Sequence, residues 1–205
     1  MSIYRGHQGI NREVTQQLRG YLGVNREIQE QYRGVAGVNR LVFSSGIACS
    51  YQLLYPNDST SFATLASDKA YVRLGYTMER TGSWGRLDIT PKQPIAVVSG
   101  DLKLNNYQFE WYTRPSAKAV LWVRIYNADN AISHYRKVYD SNYALTSIND
   151  SYVIPYSGTI KKLDIIVEQD YYNSAGDINS AYITLPNKCI TIKDKAFNYK
   201  NGLWL

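Results

Sequence analysis

Two cysteines and two histidines among 205 residues leave little for thiol, metal or acid–base chemistry. Cys49 and Cys189 form no Cys-x-x-Cys spacing, so no zinc site is expected. They read as reduced thiols filling a core, with pairing left open. His7 and His134 are far apart, and Tyr21 and Val35 take the place of His7 in later copies of the repeat described below. Neither a Gly-x-Ser-x-Gly elbow nor a His-Glu-x-x-His helix occurs. Glu79, Glu110 and Glu168 would make a glycosidase pair only if two were held a few ångströms apart, which sequence does not dictate. The chain is therefore expected not to be an enzyme and to need no cofactor or metal. It has no apolar run of about eighteen residues, so no membrane span is expected. Nor does an apolar signal core follow Met1, so synthesis in the cytoplasm is expected. Asp170, Asn173 and Asp177 crowd one glycine-containing loop. Their spacing fits no calcium loop, and a plain hairpin loop is the simpler reading.

What is present is a repeat. Arginine recurs at every seventh residue, as Arg5, Arg12, Arg19, Arg26, Arg33 and Arg40, within a longer period of fourteen. Tyr4-Arg5-Gly6-His7-Gln8-Gly9-Ile10-Asn11-Arg12 aligns with Leu18-Arg19-Gly20-Tyr21-Leu22-Gly23-Val24-Asn25-Arg26. Both align with Tyr32-Arg33-Gly34-Val35-Ala36-Gly37-Val38-Asn39-Arg40. A unit this short cannot bury a core, so it must stack or lie on something larger. Residues 1–43 hold six Arg, three Glu and no Lys, half of the net charge of +6. Arginine in place of lysine suggests planar, hydrogen-bonded contacts. The plainer alternative is local pairing with Glu13, Glu27 and Glu30 on a solvated face.

Two conformations fit each repeat. As a helix, Asn11 caps the N-terminus, Ile10, Val14 and Leu18 share a face, and Gly20 ends the turn. As strands, the glycine-containing turns link a meander, at the cost of placing Arg12 and Gln16 among apolar neighbours. That cost favours short helical turns joined by Gly-x-x-Gly links. Those glycines are no nucleotide loop, since no apolar strand precedes them and no Lys-Ser/Thr follows.

Beyond residue 43 the texture alternates. With 44% hydrophobic and 20% charged residues, a globular domain is expected. Strand candidates are 41–45, 48–54, 71–78, 85–90, 95–98, 107–112, 119–126, 132–139, 163–169, 182–185 and 188–193, separated by turn signals such as Pro56-Asn57-Asp58. No convincing helix lies between them. The expected fold is mainly β: a two-sheet, jelly-roll-like sandwich over 44–195, preceded by the arm 1–43 and followed by an aromatic tail 196–205.

Tyr107, Phe109 and Trp111 alternate and are expected in the core. The segment 119–126 has two apolar faces. One is Ala119, Leu121, Val123 and Ile125; the other carries Trp122 and Tyr126. That second face is either covered, by a loop or a neighbouring subunit, or is a stacking platform for a sugar ring. Trp84, between Gly82 and Arg86, reads as a loop residue that either binds a ligand or plugs one end of the sandwich. Nineteen tyrosines against four each of Phe and Trp suit a contact-rich or sugar-binding surface, or simply Tyr-rich strand edges.

The repeats, most clearly Tyr32-Arg33-Gly34-Val35-Ala36-Gly37-Val38-Asn39-Arg40-Leu41-Val42, resemble tandem units near the N-termini of virion structural proteins of phages and prophages of Gram-positive bacteria. The resemblance covers residues 1–43 and implies an attachment module that precedes an exposed domain. It implies a capsid-decoration or tail or baseplate component located in the virion, in contact with other virion proteins and assembled as a homo-oligomer. Tyr4, Arg5, Arg12, Leu18, Arg19, Arg26, Tyr32, Arg33 and Arg40 are the expected docking residues. Host-surface glycan is the alternative partner, through Trp84, Trp122 and Tyr126. Nucleic acid is disfavoured, because Glu dilutes the arginines and no aromatics interleave for base stacking.

Overall fold

A computed structural model describes residues 3–7, 10–14, 18–21, 24–27, 30–35, 38–44, 47–56, 60–77, 83–113, 118–140, 142–170, 180–193 and 195–205. The chain divides into two compact units, 1–47 and 48–205.

The first unit corrects the helical expectation. Its described residues form β1 Ile3–His7, β2 Ile10–Val14, β3 Leu18–Tyr21, β4 Val24–Glu27, β5 Glu30–Val35 and β6 Val38–Ser44. These pair as three separate two-stranded antiparallel sheets, β1 with β2, β3 with β4 and β5 with β6. Each fourteen-residue repeat is one hairpin. Arg5 is the register partner of Arg12, Arg19 of Arg26, and Arg33 of Arg40. The seven-residue spacing of arginine is thus half a hairpin. Asn11, read as a helix cap, pairs with Gly6, and Gly20, read as a helix stop, pairs with Asn25. Glycine lowers helix propensity, and helices this short are marginal. The Gly-containing links between the paired strands lie outside the described residues.

The second unit is the sandwich. Its strands are β7 Cys49–Leu54, β8 Ser61–Leu65, β9 Tyr71–Thr77, β10 Trp84–Pro91, β11 Ile95–Thr113, β12 Lys118–Tyr126, β13 Ile132–Tyr139, β14 Asn142–Ile160, β15 Lys162–Asp170, β16 Ser180–Pro186, β17 Ile190–Ile192, β18 Lys195–Ala196 and β19 Leu203–Trp204. One sheet runs β13-β12-β15-β10-β7-β19; the other runs β18-β17-β11-β16-β9-β8, with β14 also paired to β11. Alternation drives the packing. Leu121, Val123, Ile125, Leu163, Ile165, Val167, Leu87 and Ile89 from the first sheet meet Leu102, Leu104, Phe109, Ile183, Leu185, Val72 and Leu74 from the second, all fully buried. Tyr107, Phe109 and Trp111 are in the core, with Phe109 stacked on Tyr139 at 3.9 Å.

Five strands of this unit depart from the sequence reading. β8, β14 and the two-residue β18 and β19 lie outside the strand candidates, and β11 unites the segments 95–98 and 107–112 across bulges at Val97/Gly100 and Leu104/Tyr107. Burial alternates along β14 from Leu145 to Tyr156, but Thr146 and Asp150 hold inward positions while Leu145 and Val153 are exposed, which blurs the hydrophobic alternation in the sequence.

Side chains tie the edge strand β13 to β14. The Tyr107 and Tyr139 hydroxyls are hydrogen-bonded to each other at 2.8 Å, and both lie within reach of Asp150 Oδ2, at 3.2 and 3.1 Å, so that one of them donates to it. Lys137 Nζ sits 2.5 Å from the same oxygen, and the Tyr152 hydroxyl donates to the Arg136 carbonyl. Burial alone would raise the Asp150 pKa, but hydrogen bonds from Lys137, the Ser151 N–H and Tyr139 hold it below the ordinary carboxylate value.

The aromatic tail folds onto its own sandwich. Phe197 and Tyr199 are fully buried, and β19 adds in parallel to β7. Trp204 stacks on Tyr51 at 5.0 Å, and its Nε1 donates to the Tyr199 carbonyl. Cys49 and Cys189 are free and buried, and burial pushes each thiol up to about 12. Both are therefore protonated at neutral pH and poor nucleophiles.

Candidate functional site on the outer face of the six-stranded sheet

Residues of β12, β15, β10 and β7 that point away from the core form rows across the sheet. Arg124 pairs with Asp164, Asp164 with Asp88, and Asp88 with Gln52. The next row holds Trp122, Ile166, Arg86 and Leu54, and the one after it Val120, Glu168 and Trp84. On the other side, Tyr126 stands opposite Lys162 and Thr90 opposite Ser50.

The structure therefore brings the three aromatic candidates onto one face. Trp84 is the first residue of β10, not a loop residue, because its backbone pairs with Glu168 and its N–H donates to Ser61 Oγ. Trp84 and Trp122 sit two strands apart and offset by two residues, roughly 12 Å between Cα atoms. All three aromatics are half-buried. The Trp122 ring has the guanidinium groups of Arg124 and Arg136 at 5.9 and 5.8 Å and the His134 ring edge-on at 6.3 Å. Arg86 stands 5.5 Å from the Trp84 ring. Guanidinium groups at such distances draw on the ring quadrupole and restrain the ring. Trp122 Nε1 is buried without a hydrogen-bond partner, so a ligand on this face would meet the ring and not its N–H.

Beneath the aromatics lies an ionic cluster that the sequence reading missed. Asp88 and Asp164 are buried, at 6% and 0% exposure. Lys162 Nζ bridges them at 2.7 Å and 3.1 Å, Arg86 Nε approaches Asp88 Oδ1 at 2.7 Å, and the Tyr126 hydroxyl donates to Asp164 Oδ2 at 2.7 Å. The two buried carboxylates thus face two partly exposed cations. Burial raises the Asp88 pKa, with Asp164 adding to the rise and Lys162 opposing it. Burial alone would lower Lys162, but its hydrogen bonds to Asp88 and Asp164 outweigh that and raise it. The alternation Arg86-Leu87-Asp88-Ile89-Thr90 marks these groups as outward-facing. Only the strand order, which sets β10 beside β15, makes them neighbours.

A pocket of about 230 Å³ opens beside this cluster, bounded by Ser50, Gln52, Asp88, Thr90, Lys162 and Leu205, with Tyr51 behind.

The other candidates lie elsewhere. Tyr4, Arg5, Arg12, Leu18, Arg19, Arg26, Tyr32, Arg33 and Arg40 occupy matching positions in the three hairpins: Tyr4 is partnered with Glu13, Leu18 with Glu27 and Tyr32 with Leu41. Glu110 and Glu168 lie on different sheets, and Glu79, Asn173 and Asp177 fall outside the described residues. Among the described residues no group of three or more His, Cys, Asp or Glu could hold a metal ion, and no helix is long and apolar enough to cross a membrane.

No protein-family model and no curated protein matches the chain. Solved structures similar to it include the Gt strain of infectious bursal disease virus (TM-score 0.34, 9% identity, 82% of this chain and 39% of that one). The enzymatically active domain of tailspike protein 4 of bacteriophage CBA120 is another (0.34, 10%, 70% and 19%), as is a family 29 carbohydrate-binding module (0.27, 10%, 68% and 91%). The chain thus spans about two fifths of the viral chain's length and one fifth of the tailspike domain's. At these TM-scores the likeness carries no functional argument. The class defined here is a two-sheet β-sandwich with a hairpin-repeat unit before it, and its function has to be argued from its own side chains.

Proposed function

We propose that this chain is a virion structural protein, turning over no substrate, that attaches to its particle through the hairpins of residues 1–47 and displays the sandwich. One observation carries the reading: each repeat is a separate two-stranded hairpin with two arginines at one register position. An isolated two-stranded hairpin is marginal in water, so three of them in tandem call for a surface to lie on. Paired arginines at a fixed repeat suit a surface that presents carboxylates at a matching interval. Other virion proteins in a symmetric shell or tail provide such intervals, and copies of this chain would share that symmetry. In the test, Arg12→Ala combined with Arg26→Ala is expected to abolish incorporation into particles, measured by quantitative blotting of purified virions, while the melting temperature of the sandwich stays unchanged. Normal incorporation would refute the arm as the attachment element.

A second reading is favoured by the face shared by Trp84, Trp122 and Tyr126: the displayed sandwich binds host-surface glycan. Half-buried aromatic rings restrained by guanidinium groups present flat apolar surfaces with hydrogen-bonding groups beside them, the combination that stacks on sugar rings. Trp122→Ala is expected to weaken binding to a host cell-wall polysaccharide about tenfold or more in a pull-down titration. Unchanged binding would remove that face from recognition.

A further inference from the structure

We infer that the pocket between β7, β10 and β15 seats a single uncharged pyranose unit, held by Lys162, Gln52 and Thr90 and flanked by Leu205. The inference rests on the glycan reading of this face and adds the ligand class and the anchoring subsite.

The argument starts from size. A volume of about 230 Å³ is below the span usual for drug-sized ligands and suits one sugar ring. Charge comes next. The charged side chains that line the pocket are Asp88 and Lys162, one of each sign and paired at 2.7 Å, so neither a carboxylate nor an ammonium on the ligand meets an unpaired counter-charge here. The available hydrogen-bonding groups select for hydroxyls. The Asp88 carboxylate is already engaged by Arg86 and Lys162, and it holds the Lys162 ammonium in place at the pocket. The Lys162 ammonium donates and has three N–H bonds, of which the two carboxylate contacts use two. The Gln52 amide and the Thr90 hydroxyl are exposed and both donate and accept. The ammonium with the Gln52 amide and the Thr90 hydroxyl beside it matches adjacent hydroxyls on one ring, each of which donates and accepts. Leu205 is 74% exposed and supplies an apolar wall for the C–H face of the ring. Lys162 links this subsite to the platform, since its ammonium lies 5.0 Å from the Tyr126 ring. A chain anchored in the pocket could continue over Tyr126 towards Trp122.

The test uses the full-length, isotope-labelled protein titrated in amide-correlation NMR. The probes are the methyl pyranosides of glucose, galactose, mannose and N-acetylglucosamine, with methyl glucuronate as the charged control. At least one uncharged glycoside is expected to shift the amides of residues 50–52, 88–90 and 162 with millimolar affinity. Gln52→Ala and Thr90→Val are surface changes that leave the core intact, and each is expected to weaken that affinity on the order of tenfold. No shift at tens of millimolar with any uncharged glycoside overturns the proposal, as does binding of the glucuronate alone. If Trp122→Ala abolishes polysaccharide binding while the two pocket variants bind like wild type, the pocket is refuted and the glycan face survives. If wild-type protein binds neither glycoside nor polysaccharide, both fail.

Discussion

Gly85→Ala is expected to destabilise the sandwich by roughly 3 kcal/mol or more, because the two sheets touch there at backbone distance. A Cβ on Gly85 would stand 2.3 Å from the Phe62 carbonyl oxygen and 2.5 Å from the Gly75 backbone nitrogen. Neither is the end of a flexible side chain, so relief requires β10 to move away from β8 and β9. That movement would loosen Leu87 and Ile89, which are fully buried on the same strand. In a domain of this size the loss corresponds to a fall in melting temperature on the order of 10 °C. Gly100→Ala is the control. Its Cβ would meet Val97 and Lys193 side-chain atoms at 3.6 Å, an ordinary contact, and a change within about 0.5 kcal/mol is expected. Equal melting temperatures for the two variants would show that the close approach is not rigid.

Removing residues 196–205 is expected to abolish cooperative folding. Phe197 and Tyr199 are fully buried, and each aromatic truncation in a core costs about 3–5 kcal/mol. Two such losses approach the whole stability of a typical domain, about 5–15 kcal/mol. The tail also covers Tyr51, which is fully buried against Tyr199 edge-on at 5.4 Å and Trp204 stacked at 5.0 Å. A point variant reaches the same contact: a Cβ on Gly202 would lie 1.9 Å from the Tyr51 ring. Gly202→Ala should therefore lower the unfolding midpoint in urea without changing the slope. A truncated protein with a sharp melting transition and dispersed amide spectrum would show that the tail merely decorates the sandwich.

Legibility in the sequence followed how local each signal is. The strand of Ala119, Leu121, Val123 and Ile125 and the core trio Tyr107, Phe109 and Trp111 were readable, because alternate burial leaves its period in the residues themselves. β14 was not readable. Its burial alternates, but inward positions hold Thr146 and Asp150 and outward ones hold Leu145 and Val153, so the residue types do not record the period. β11 was divided in two because its bulges interrupt the period, and Asn106 takes a positive φ of 49° at one of them. The repeats misled through their spacing. Ile10, Val14 and Leu18 fit a helical face, yet one hairpin with its connection to the next also fits within the fourteen-residue period, and strand pairing alone distinguishes the two.

The sequence by itself determined the repeat, its arginine spacing, the mainly β character and the aromatic residues available for a surface. Only the tertiary structure decided which of them meet. Trp84 and Trp122 share a face because β15 lies between β10 and β12, and the Asp88–Lys162–Asp164 cluster exists because β10 pairs with β15. Strand order is set by the packing of the whole sandwich, a sum over contacts distant in the chain that no local pattern records.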